Sequence, residues 1–198
     1  MIDGRFVLLG ALLTLIGSSR YAWLTIHART RPNRVTWCLW AAAPIIGFLA
    51  QLDEGVGLPS VLTLSVGLGP SIVFASTFVN PQSYWRISRF DLCCGAVSLA
   101  ALVVWLTLDN PTLAVVFAVV ADAMAGVPTI VKAWRAPETE NPVPFLLAGL
   151  NGTIAMLTID DWGIATWAFP AYIVVMGLGL SVLIATRQRR VGAVTMRA

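Results

Sequence analysis

"MAGVPTIVKAWRAPETENPVPF", residues 124–145, decides how this chain is read. An apolar run is broken by Pro128, turns basic at Lys132 and Arg135, crosses a polar loop and restarts at Pro144. "IGSSRYAWLTIHARTRPNRVTW", residues 16–37, has the same outline 108 residues earlier. Apolar run, basic turn and apolar restart is the pattern of helices that cross a membrane, turn at its surface and cross again.

The rest of the sequence agrees. Of its 198 residues, 58% are hydrophobic and 12% charged, where a soluble domain carries about 25% charged residues. The mean hydropathy is +0.80. These values place the chain among integral membrane proteins. Despite the basic balance, nucleic acid is excluded as a partner, because the positive charges sit in short loops between apolar runs. The chain reads as all-α with seven transmembrane helices at 6–26, 35–52, 58–80, 90–108, 111–134, 143–160 and 162–186. Each meets the length of about 20 residues that a helix needs to span the hydrocarbon core. Strands do not fit: the runs are long, lack alternation, and an open sheet leaves its backbone unsatisfied in lipid. The run from Phe6 has only Arg5 ahead of it and no small-residue cleavage pattern, so it reads as a retained span. Cys38, Cys93 and Cys94 lie in apolar runs without metal-ligand or disulfide spacing and read as small buried hydrophobes. Neither a metal nor a cofactor is indicated.

Seven spans put the termini on opposite sides, and the charges assign the sides. One side holds Arg29, Arg31, Arg34, Arg86, Arg89, Lys132, Arg135, Arg187, Arg189, Arg190 and Arg197; the other holds Arg5, with Asp3, Asp53, Glu54, Asp109, Asp160 and Asp161. Lys and Arg collect on cytoplasmic loops, so the N-terminus is expected outside and the C-terminus inside, in a bacterial cytoplasmic membrane. "HARTRPNR" (27–34) and the tail 187–198 then face anionic lipid headgroups, and the tail is expected to be mobile.

A shift of 108 residues lays "LDEGVGLPSV" (52–61) on "DDWGIATWAF" (160–169) and Trp37 on Phe145. One further residue of slippage brings Gly17 onto Gly126 and Ser19 onto Pro128. Residues 1–80 and 111–186 therefore read as two three-helix repeats, with 90–108 as a single linker helix. Both triplets enter from the same side, so they are parallel, related by an axis along the membrane normal, as in some transporters. A triplet with a proline near the inner end of its first helix, a short basic loop and a second helix resembles the PQ-loop repeat, and two triplets joined by one helix resemble the SWEET sugar transporters. Pro128 and Pro144 match the prolines of that pattern; Thr129 stands at its glutamine, and Ser19-Arg20 and Thr36 replace the counterparts in the first triplet. The asparagine that SWEET sugar sites place in the third helix of each triplet has no counterpart here. The resemblance implies alternating access, with Pro128, Pro144, Ser19 and Thr36 as hinge positions of an inner gate.

The candidate binding residues follow from depth. Asp122 is the twelfth residue of its span, roughly 15–18 Å in. A carboxylate at that depth faces a bundle interior or a cavity, where it couples transport to protons or holds helices together. Arg20 either snorkels to the inner surface or pairs with Asp122. Pro144, Asn151 and Thr158, spaced by seven, share one helical face, and Trp40 and Trp167 are candidates to stack on a substrate ring. The one histidine, His27, is peripheral, and no nucleophile–base set or metal cluster is visible, so the chain is not read as an enzyme. The leading reading is a transporter of a small polar solute, sugar-like or another metabolite; the alternative is a non-transporting sensor, scaffold or small subunit. Self-association or a membrane partner protein fits either. A mid-depth cavity lined by Asp122 and Asn151 separates the two readings.

Overall fold

Three asparagines start helices where the sequence couples them to proline or to an apolar run. Asn33 Oδ1 accepts from the backbone N–H of Val35 at 3.0 Å and of Thr36 at 3.3 Å. Asn110 accepts from Leu113 at 3.1 Å and Asn141 from Val143 at 2.9 Å. Pro111 and Pro142 follow the latter two at the first helical position, where a missing N–H costs nothing and the fixed φ suits the helix. In the computed structural model, which describes residues 2–53, 59–82, 85–107, 110–160 and 162–195, the order is α1 (Phe6–Ile26), α2 (Arg34–Asp53), α3 (Pro59–Ser76), α4 (Arg89–Leu106), α5 (Pro111–Arg135), α6 (Pro142–Leu157) and α7 (Ile164–Thr195). A single 3₁₀ turn, Pro137–Thr139, joins α5 to α6. No strand occurs among the described residues. Glu54, Asp109, Asp161 and Arg197 lie outside them.

All seven expected helices are present, and α1, α2, α4 and α5 agree with their expected bounds within two residues. Among the described residues, three segments are long and apolar enough to cross a membrane: Phe6–Ile26, Val115–Arg135 and Thr166–Val191. Two of the other helices end short of their expected bounds. α3 ends at Ser76, where Asn80 turns back to donate to the Ile26 carbonyl at 3.0 Å. α6 has only 16 residues, because Thr158 caps its C-terminus rather than continuing it. The tail expected from 187 is instead helix as far as Thr195. Arg187 Nε and Nη2 donate to the Trp134 carbonyl at 3.1 and 2.9 Å, and the guanidinium sits 4.5 Å from the Trp134 ring centroid.

The polarity is arranged inside out. Large apolar side chains cover the outer faces, such as Leu8, Leu12 and Ile16 on α1, Leu92, Leu99 and Val103 on α4, and Val175 and Val182 on α7. Thr14, Ser18, Ser98, Thr129, Asn151 and Ser181 are buried. A broad apolar exterior is an interaction surface, and with these helices it suits lipid.

In the packing order, α3 lies against both α1 and α2, and α7 against both α5 and α6. Across the middle, α1 meets α6 and α2 meets α5, while α4 lies on α5 and touches α2. Gly177 lets α7 reach the α6 backbone: a Cβ there would stand 2.6 Å from Gly149 N and 2.7 Å from Phe145 O. Two residues on, Gly179 faces open space. Gly177→Ala is therefore expected to cost about 1–3 kcal/mol through overpacking, read as a lower Tm of the detergent-purified protein. Gly179→Ala should leave the Tm unchanged, and equal effects at both positions would refute the close crossing.

Candidate functional site

Between the helices lies a cavity of about 90 Å³. At about 10–15 Å³ per water-sized position, it has room for roughly six to nine such positions. Every helix but α4 contributes to its wall: Thr14 and Ser18 from α1, Trp37 and Trp40 from α2, Val66 and Pro70 from α3, Asp122 from α5, Pro144, Phe145, Ala148 and Asn151 from α6, and Ile173, Met176 and Gly177 from α7.

Asp122 is held on two sides. Tyr172 Oη donates to its Oδ2 at 2.7 Å, and Trp40 Nε1 donates to its backbone carbonyl at 3.1 Å. This stretch of α5 offers carbonyls to its neighbours: Ser98 Oγ donates to Ala121 O at 2.5 Å and Thr36 Oγ1 to Ala125 O at 2.7 Å. Pro128 lies inside α5. Lacking an N–H, it leaves the Met124 carbonyl without its helical donor and crowds the turn before it. The polar side chains of α2 and α4 bind the carbonyls of Ala121, Asp122 and Ala125, in the two turns that precede this proline.

Asn151 bridges α6 to α1. Its Nδ2 donates to Thr14 Oγ1 at 2.8 Å, and Thr14 in turn donates to the Gly10 carbonyl at 3.2 Å. Its Oδ1 is buried without a partner among the described residues, against Gly10, where any Cβ would overlap it. The aromatic rings form a corner of the wall. Trp37 and Trp40 meet edge to face with centroids 5.5 Å apart, and Trp37 lies 6.1 Å from Phe145.

Toward the loops, the cavity is sealed in layers. Tyr21 is fully buried and packs on Trp37 at 5.0 Å and Phe145 at 6.3 Å. Its hydroxyl donates to Glu140 Oε2 at 2.5 Å. Glu140 Oε1 pairs with Lys132 Nζ at 2.5 Å, with side-chain exposures of 0% and 1%, and Lys132 also donates to the Arg31 carbonyl. Around this pair, Arg31 N–H donates to Thr139 O at 2.9 Å, and Gln188 Nε2 donates to Pro137 O and Glu140 O, both at 2.9 Å. Trp85 closes over Lys132 at 5.6 Å and donates its N–H to Pro32 O at 3.0 Å. The connections before α2, before α4 and before α6, and the far end of α7, are thereby knitted together.

The expected site residues divide clearly. Asp122, Asn151, Trp40 and Pro144 do come together at the cavity. Thr158 does not: it caps α6, donating to Ala155 O at 2.8 Å. Pro144 is the third residue of α6, where no intrahelical N–H bond exists to lose, so it starts a helix and makes no kink. Ser19 is exposed, and its neighbour Ser18 lines the cavity instead. Thr36 is fully buried and tied to α5. Arg20 is exposed and unpaired with Asp122 among the described residues. Trp167 stands away from the cavity wall. Sequence reasoning missed Tyr172, Thr14 and the Tyr21–Glu140–Lys132 cluster. The only hint of the cluster was a pair of acidic residues, Glu138 and Glu140, in loops that are otherwise basic.

No protein-family model, curated protein or solved structure matches the chain.

Removing one member of a buried, hydrogen-bonded ion pair leaves an uncompensated charge and costs about 3–5 kcal/mol. Lys132→Met is therefore expected to lower the Tm sharply. Lys132→Met combined with Glu140→Gln should recover much of that loss, which thermal unfolding in detergent would reveal; a double variant less stable than the single one would contradict the pairing.

Proposed function

We propose that the chain is a seven-span membrane transporter of a small polar solute, with its N-terminus outside and its C-terminus in the cytoplasm. In this reading α1–α3 and α5–α7 are parallel three-helix units that rock about the cavity between them, and α4 links them. The observation that carries it is the cavity: a few polar groups converge in an aromatic and apolar wall supplied by both triplets, which is the composition of small-molecule sites. Asp122 and Asn151 both line it, as expected of a transporter and not of a scaffold. The first–third–second packing order of each triplet, and the pairing of Trp37 with Phe145 and of Trp40 with Ala148 at a spacing of 108 residues along the wall, support a repeat of the PQ-loop and SWEET type.

Alternating access requires one end shut while the other admits solute. The Tyr21–Glu140–Lys132 cluster acts as the closed inner gate. The interruption at Pro128 lies between that gate and Asp122, on the helix that carries both Lys132 and Asp122. Motion of α5 about Pro128 parts Lys132 from Arg31 and Glu140 without disturbing the outer half of the helix.

The test is ligand-dependent stability, followed by flux. A solute that binds only the folded protein at 100 times its Kd stabilises it by about 2.7 kcal/mol, a shift of several degrees in Tm. Across a panel of sugars, polyols, nucleosides, amino acids and amines, at least one compound should raise the Tm and exchange across proteoliposomes. Asn151→Ala should weaken that binding about tenfold, and Ala148→Phe, which fills the cavity, should abolish it with the fold intact. No hit in the panel, or a hit indifferent to Ala148→Phe, would favour the scaffold reading.

A further inference from the structure

We infer that the solute is a small organic cation, an ammonium compound of about six to nine non-hydrogen atoms, seated between the Asp122 carboxylate and the rings of Trp37, Trp40 and Phe145. The inference rests on the transporter reading of the same cavity and adds its substrate class.

Charge is the first argument. Asp122 is the one acidic residue in the wall, and no Lys, Arg or His stands there with it. The nearest cation along α5, Lys132, is already committed to Glu140, and Arg20 points outward. The donors around Asp122 are neutral: the Tyr172 hydroxyl on Oδ2 at 2.7 Å and the Trp40 indole N–H on the backbone carbonyl at 3.1 Å. A carboxylate withdrawn from water needs a counter-charge as well as hydrogen bonds. Here the donors are a hydroxyl and an indole N–H, and the wall holds no counter-charge among the described residues, so a cationic ligand completes the site.

The wall is the second argument and is independent of the first. Trp40 meets Trp37 at 83° and Phe145 at 70°, while Trp37 and Phe145 are inclined at 41°, so that the Trp40 ring turns a corner against the other two and does not stack flat on them. A cation set against ring faces is held by their quadrupoles, most strongly by tryptophan, and aromatic corners of this kind recognise ammonium groups. Trp40 also joins the two halves of the site, because its Nε1 is bonded to the Asp122 backbone. A sugar, in contrast, needs several hydrogen-bonding side chains around its hydroxyls. Apart from Asp122 and the indole N–H groups of Trp37 and Trp40, the polar side chains of the wall are Thr14, Ser18 and Asn151, and Thr14 and Asn151 are bonded to each other, which leaves Trp37 Nε1 and Asn151 Oδ1 as the buried polar atoms of the wall without a partner among the described residues. Size is the third argument: room for about six to nine water-sized positions admits a compound such as choline and excludes a disaccharide.

The test compares isosteres on the wild-type protein. Labelled choline is bound to the detergent-purified protein and competed with 3,3-dimethylbutan-1-ol, which has the same shape without the charge, and with tetramethylammonium, glycerol and erythritol. Choline should bind at least about tenfold more tightly than its neutral isostere, and Asp122→Asn should lower that preference several-fold, to what the rings alone supply. Tyr172→Phe serves as a second variant should Asp122→Asn fail to fold; it keeps the carboxylate and should retain the preference. Equal affinity for choline and the neutral alcohol would overturn the inference. So would binding of glycerol, erythritol or another neutral solute from the panel with no binding of either ammonium compound, and that result would leave the transporter reading standing. Failure of every compound to bind would overturn both.

Discussion

A lysine and a glutamate, almost wholly shielded from solvent, hold one end of this molecule together. Lys132 belongs to α5 and Glu140 to the turn before α6, yet the pair also gathers the Tyr21 hydroxyl from α1 and the Arg31 carbonyl from the connection to α2. Withdrawing two charges from water is tolerable only when each finds a partner and spare hydrogen bonds. That requirement fixes where four segments stand relative to one another. It brings Tyr21 under Trp37 and Phe145, and so gives the cavity its floor. Were the pair parted, the floor would lose the hydrogen bond that holds Tyr21, and the loops their common anchor.

Above that floor the chemistry changes character. Polar contacts become few and are spent on helix carbonyls or on one another: Thr36 on Ala125, Trp40 on Asp122, Asn151 on Thr14. Each lies between helices on opposite sides of the central interface, α2 with α5 or α1 with α6. Beside these few polar ties, Tyr21, Trp37, Trp40 and Phe145 pack across the same interface as one apolar cluster, so the hydrogen bonds set the register and the rings supply the contact area. Interhelical hydrogen bonds in membranes are worth about 0.6 kcal/mol each on average, small enough for two arrangements to coexist.

How much of this was legible in the sequence follows from what each feature depends on. Helix existence and most bounds depend on apolar run length and on asparagine and proline at helix starts, both local, and α1, α4 and α5 could be read directly. The end of α6 depends on the Thr158 cap, and the persistence of α7 past Ile184 on contacts with Trp134, Pro137 and Glu140; neither shows in hydropathy. Depth alone identified Asp122 and Asn151, because an ionisable or amide group in mid-helix must point inward. Depth misjudged Thr158, since the shared face continues only while the helix does. Ser19, placed as a hinge by the repeat alignment, is exposed while its neighbour Ser18 lines the cavity; on a helix one position is enough to turn a side chain from one to the other. Tyr21 and Glu140 are 119 residues apart, and nothing in either neighbourhood announces the other.

The length of α7 has a mechanical meaning. One unbroken helix carries Tyr172, which holds Asp122, and Gln188, which clasps the carbonyls of Pro137 and Glu140. Its internal proline, Pro170, lies beyond both. Sixteen residues separate the two contacts, about 24 Å of rod at 1.5 Å per residue. A tilt of about 5° pivoting at Tyr172 swings Gln188 by about 2 Å, enough to break a hydrogen bond that tolerates only a few tenths of an ångström. Because the rod has no joint along that stretch, a small tilt at Tyr172 arrives at the loops as a displacement of Gln188 large enough to open the clasp.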